Sequence, residues 1–199
     1  MGQVHICYSA PAQENGKYPD GTPNDTVLGR RSICRLDRML EDAFQSILDG
    51  HQVSFAFGAG SLKRSYKPLS VLQGAYVTQK WSAIFPGQTM KLYLPGIDQN
   101  YWGTEEEVDF AQSAAEENGC DELRLATEDY HADRTRLFLR EQQRPGVRWE
   151  LLIASTTNNP PTEQQLLQER RSLWCKQHLP RPVYLALRTA SRVRLRMNY

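Results

Sequence analysis

Short apolar runs alternate along this chain with longer stretches whose apolar positions recur every three or four residues, and that alternation limits the fold more than any other feature. The runs with strand character are Val4 to Ser9 (VHICYS), Gln52 to Phe57 (QVSFAF), Lys91 to Leu94 (KLYL), Leu123 to Thr127 (LRLAT) and Trp149 to Ala154 (WELLIA). Between and after them, helical spacing is read from Ser32, around Leu69 to Phe85, from Thr104, over Ala132 to Gln142, from Thr162 to about Gln177, and from Pro182 to Met197. In the first of these helices Ile33, Leu36, Leu40, Phe44, Ile47 and Leu48 form the apolar stripe, and Gly50 stops it. Strands separated by helices need parallel crossovers, and right-handed crossovers cover both faces of a sheet. The expectation is therefore an α/β, three-layer, Rossmann-like sandwich with a mostly parallel sheet of about five strands.

Local chemistry refines the boundaries. Thr104 with Glu107, and Thr162 with Gln165, fit capping boxes, in which side chain and backbone satisfy each other's unpaired groups at a helix start. Gly119 is placed to end the helix opened by Thr104, and Pro182 to open the final helix. The Gly-, Pro- and Asp-rich segment from Ala10 to Leu28 reads as one long loop, of the kind that often serves as a lid or binding segment. At 199 residues the chain suits one domain, with residues 1–160 forming the sandwich and 161–199 a helical extension packed on it.

Composition excludes several classes. The 24 Lys plus Arg balance 23 Asp plus Glu, leaving a net charge of +1 and no electrostatic case for nucleic-acid binding. Cys7, Cys34, Cys120 and Cys175 show no CxxC pair, and His5, His51, His131 and His178 have no ligand spacing among themselves or with a Cys, so no metal is expected. No apolar leader and no run of about 18 apolar residues is present, so neither export nor a membrane span is expected and the cytoplasm is the default location. The oligomeric state is left open.

In sheets of this type ligands bind beyond the carboxyl ends of the strands, where strand order reverses. The residues just after each strand are therefore the candidates. Gly58, Gly60 and Ser61, around Ala59, would let backbone amides approach an anion at a helix start, with Lys63 and Arg64 nearby; a tight structural turn accounts for them equally well. After the fourth run comes TEDYHADR, in which His131 and Arg134 lie one turn apart on a helix and could address one ligand, the imidazole by proton transfer and the guanidinium by gripping an oxyanion. A capped helix start with a surface salt bridge is the plain alternative. Glu106, in the first turn after Thr104, is a freer carboxylate than Glu107 and could act as a base or bind a ligand hydroxyl, although the helix dipole alone favours acids there. Arg30, Arg31 and Arg35 open the first helix at the same sheet edge, with Arg35 at the border of the apolar face. Arg188, Arg192, Arg194 and Arg196 near the end could suit an acidic partner or a membrane surface, but Arg188, Arg192 and Arg196 form an i, i+4 row that any solvated helix face carries.

The order of these clusters resembles the YdcF/SanA/ElyC family, whose domain has an Arg in the first helix, an SGG-like turn, an NTxEN-like helix start and a VTSxxHxxRA-like segment. The corresponding segments here are RRSICRLDRML with Arg35, FAFGAGS with Gly58, Gly60 and Ser61, GTEEEV with Thr104 and Glu106, and LATEDYHADRTRLFLRE with Thr127, His131 and Arg134, spanning roughly residues 1–155. Ala59, Glu107 and Glu128 depart from the pattern, and the added carboxylates would penalise a strongly anionic ligand unless the arginines offset them. The soluble branch is the nearer likeness. The resemblance implies a site for a nucleotide-like or phosphorylated small molecule, with S-adenosylmethionine a candidate, and a transferase or hydrolase activity. It implies anion binding by Arg35 and Arg134, acid or base work by His131, a carboxylate role for Glu106, and ligand contacts from Gly58, Gly60, Ser61, Thr104 and Thr127. The alternative is a non-catalytic binding or regulatory module that acts on a macromolecular partner.

Overall fold

The structure is a computed structural model that describes residues 2–11, 15–17, 23–58, 69–95, 103–156 and 160–197. Among the described residues seven strands and six helices follow in the order β1 (His5–Ser9), β2 (Asn15–Lys17), β3 (Pro23–Leu28), α1 (Arg30–Leu48), β4 (Gln52–Ala56), α2 (Leu69–Ile84), β5 (Lys91–Tyr93), α3 (Thr104–Glu117), β6 (Glu122–Glu128), α4 (Asp129–Glu141), β7 (Arg148–Ala154), α5 (Glu163–His178) and α6 (Arg181–Met197). Five strands form one sheet in the order β5-β4-β1-β6-β7, and every pairing in it is parallel. The expected α/β three-layer architecture is what the chain adopts.

Alternation along the strands builds a core on each side of the sheet. Ile6 and Tyr8 of β1 and Phe55 of β4 pack with Leu36, Met39, Val77 and Trp81 of α1 and α2. Cys7, Ala56, Leu123 and Leu125 face the other way, against Val108 and Ala111 of α3 and Phe138 of α4. Because β4 and β6 flank β1 on opposite sides, the chain reverses direction across the sheet between β1 and β6. Their carboxyl ends, at Ser9 and Glu128, define the crevice where such folds bind ligands.

Two local expectations need correction. The segment from Ala10 to Leu28 is not simply loop: β2 and β3 pair antiparallel within it, with an irregular register between Asn15 and Gly16. Thr104 does not cap α3. Gly103 holds the N-cap position without a side-chain cap, Thr104 already lies inside the helix, and Glu107 is buried. The second capping box is present, with Thr162 accepting from the Gln165 amide at 3.3 Å and the Gln165 side chain accepting from the Thr162 amide at 2.9 Å. Gly119 has φ of +64°, the left-handed conformation with which the chain leaves α3 at little cost for glycine. No helix among the described residues is long and apolar enough to cross a membrane.

Candidate functional site

Arg35 sits on the stripe of α1 that faces the sheet, where an unpaired guanidinium would be prohibitively costly. Its partners explain its position. One nitrogen donates to the Pro11 carbonyl, just beyond β1, and the other to Glu128 Oε2 at the end of β6, each at 2.6 Å. The two side chains are 1% and 2% exposed, so the pair is desolvated. Arg35 therefore ties the two strands together across the switch point and neutralises Glu128. Gln73 of α2 donates to the neighbouring Ala10 carbonyl at 2.5 Å and closes the same end of β1.

On the other face, β6 runs straight into α4, whose first turns carry His131 and Arg134. Helical spacing puts both on one face, and their ring and guanidinium are 3.3 Å apart. Arg134 also reaches Thr104 Oγ1 of α3 at 3.4 Å. Thr104, singled out in one segment, and His131 and Arg134, singled out together in another, therefore meet in one place. Thr127 is buried in the last turn of β6 before them. Gly58 lies beside the first turn of α3, where an added Cβ would stand 3.0 Å from the Glu107 Cα; the missing side chain lets strand end and helix start close up. Gly60, Ser61, Ala59, Lys63 and Arg64 lie outside the described residues.

Glu106 pairs with Arg188 of α6, which also donates to Glu105. Tyr184 of α6 donates to the same Glu105 oxygen, at 3.3 Å. Arg188, expected on a solvated face, is thus turned into the site, while the side chains of Arg192, Arg194 and Arg196 are outside the described set. Arg31 lies over the Tyr130 ring and donates to its hydroxyl at 3.1 Å and to the Pro160 carbonyl at 2.8 Å. It links α1 to the segment that leads into α5.

The residue that sequence reasoning missed is Glu169, the one buried side chain of α5. Its Oε2 lies 2.8 Å from His131 Nδ1 and its Oε1 lies 3.0 Å from Arg134 Nε. Only its place in a charged run, QERR, was visible, and that composition is ordinary for a solvated helix. Burial pushes the His131 imidazole below its ordinary value; Glu169 pulls it upward, while Arg35 and Arg134 oppose that pull. Burial prevails over the pull of Glu169.

A second cluster lies at the opposite, amino edge of the sheet. Cys120 Sγ is 3.6 Å from the His5 ring and 3.7 Å from Ser54 Oγ. A hydrogen bond from Cys7 holds the Cys120 thiol down at about 7 against its burial, and the same bond with burial pushes Cys7 up. All four cysteines are free. Among the described residues no group of His, Cys, Asp and Glu is arranged to hold a metal ion.

Neither a protein-family model nor a curated protein matches this chain. The reading of the site accordingly rests on its own geometry.

Proposed function

We propose that this chain is a YdcF/SanA/ElyC-like protein of the soluble branch that binds a nucleotide-like or phosphorylated small molecule at the carboxyl edge of the sheet. It acts on that molecule as a transferase or hydrolase. The observation that carries the reading is the meeting of Thr104, His131 and Arg134, from two helices, beside the switch point. Arg134 grips the ligand's anionic group, His131 exchanges a proton with it, and Thr104 orients the guanidinium. Arg35, committed to Glu128, supplies positive charge from behind the imidazole and removes the penalty that Glu128 would impose. Glu105 and Glu106 offer a place for a cationic group, now taken by Arg188. A ligand that carries a carboxylate together with a cationic centre, as S-adenosylmethionine does, suits both halves of this arrangement.

The test is a thermal-shift screen of the purified protein against nucleotides, sugar nucleotides, phosphorylated metabolites and S-adenosylmethionine. A ligand at a hundred times its dissociation constant stabilises the fold by about 2.7 kcal/mol. Stabilisation by one of these classes supports the reading; no response from any of them refutes it.

One observation favours the alternative of a non-catalytic module. Leu167 and Trp174 of α5 and Val183, Leu185 and Leu187 of α6 are exposed apolar side chains on the C-terminal extension, and such surfaces often engage another macromolecule. A partner that binds the extension, with no small-molecule response in the screen, would favour it.

A further inference from the structure

A carboxylate is an expensive group with which to dock a helix, since burying it costs several kcal/mol unless it is fully paired. In α5 that group is nevertheless the single buried one. Its partners are the two residues of α4 on which the proposed chemistry depends. The His131 and Glu169 side chains are 10% and 9% exposed. A carboxylate can only accept hydrogen bonds, so the 2.8 Å contact requires the imidazole proton to be on Nδ1. Arg134 Nη2, 3.3 Å from Nδ1, carries two hydrogens, one of which reaches Thr104 Oγ1; the Glu169 carboxylate, nearer to Nδ1 and charged, is the stronger claimant on that nitrogen's proton. With Nδ1 holding the proton, the lone pair is on Nε2. That atom is enclosed and has no hydrogen-bond partner among the described residues.

An imidazole fixed by a carboxylate at one nitrogen, with its other nitrogen lacking a hydrogen-bond partner among the described residues, is the arrangement of a general base and its orienting partner. We propose that Glu169 is the positioning residue for His131, and that the C-terminal extension is part of the site. This rests on the reading of His131 as the proton-transfer group. Nε2 takes the proton of a ligand or water O–H, and the imidazolium that forms keeps its Nδ1 proton on Glu169, which offsets the new charge. Arg134 adds an ion pair to the same carboxylate, its Nε standing 3.0 Å from Oε1. The charged groups facing the ring are Glu169 of α5, Arg134 of its own helix and Arg35 of α1. Of these only Glu169 favours the protonated ring, so it alone can support the base role.

The experiment is long-range proton–nitrogen correlation NMR of the histidine rings across a pH titration. It uses the full chain, with His131 assigned by its absence in His131→Asn. In the wild type the His131 signals should be those of a neutral ring protonated at Nδ1. Glu169→Gln keeps the shape and an oxygen acceptor but loses the charge, so the His131 midpoint should move down while that of His5, at the opposite edge of the sheet, stays. Adding inorganic phosphate to Glu169→Gln should bind no more tightly than to the wild type. A wild-type ring protonated at Nε2, or an unmoved midpoint in Glu169→Gln, overturns the proposal. Tighter phosphate binding in Glu169→Gln overturns it too, by making Glu169 an internal occupant of the anion site. None of these readouts depends on finding the ligand, so the proposal can fail while the ligand screen succeeds, and the reverse.

Discussion

Replacing Arg35 with Met should destabilise this protein more than any single surface change. The guanidinium is almost fully enclosed, with both its described partners, the Pro11 carbonyl and Glu128, at 2.6 Å. Methionine fills much of the same volume but leaves Glu128 buried without its counter-charge and the carbonyl without its donor. Breaking a buried ion pair by removing one partner costs about 3–5 kcal/mol, and an unsatisfied buried carbonyl adds about 1–3 kcal/mol. Against a total stability of about 5–15 kcal/mol for a domain, that is a large share. Urea denaturation followed by circular dichroism should show a midpoint far below that of the wild type with an unchanged slope. The double variant Arg35→Met, Glu128→Leu removes both charges and should recover much of the loss, because the desolvation cost disappears with them. An Arg35→Met protein within about 1 kcal/mol of the wild type would refute the reasoning, since only a hydrated pair is worth so little.

Gly58→Ala should cost about 1–3 kcal/mol by overpacking, because the new methyl would stand 3.0 Å from both Cα and Cγ of Glu107; a thermal melt reads the loss, and an unchanged melt would mean that α3 can retreat freely. Stability should fall as pH drops below about 6.5, the ordinary histidine value. His131, through its burial, and His5, through burial and Lys91, both titrate below that value in the folded chain, so the unfolded state takes up protons first. Melts from pH 7.5 to 5.5 should show the decline, and His131→Asn should flatten part of it.

The sheet was legible because each strand combines an apolar run with a following helix of clear period, as in QVSFAF and LRLAT, and parallel crossovers leave few other arrangements. The hairpin of β2 and β3 was not legible. NGK and PNDTVL have the composition of turns, and only pairing with each other gives them extended structure. Thr104 was expected to cap α3, but Gly103 takes the cap and the Thr104 hydroxyl turns instead to Arg134. Topology allowed His131, Arg134 and Thr104 to be expected at one edge, since each follows directly on a strand or the loop after it. Glu169 gave no such signal: it lies a helix and a strand beyond His131, and nothing local distinguishes it from the other charges of α5. The approach of Cys120 to Cys7 and His5 was hidden for the same reason, since strand register alone brings them together.

The central claim is that Arg134 grips an anionic ligand at the carboxyl edge, and a calorimetric titration of paired variants tests it most directly. The ligand is whichever compound stabilises the wild type in the thermal screen. Arg134→Ala and Arg136→Ala are compared because both residues are on α4, but Arg136 is on its outer side and pairs with Asp133. A hydrogen bond to a charged group is worth about 1.5–3 kcal/mol, so Arg134→Ala should weaken binding at least tenfold while Arg136→Ala leaves it unchanged. Equal affinities for the wild type and Arg134→Ala would contradict the account and place the ligand elsewhere on the protein.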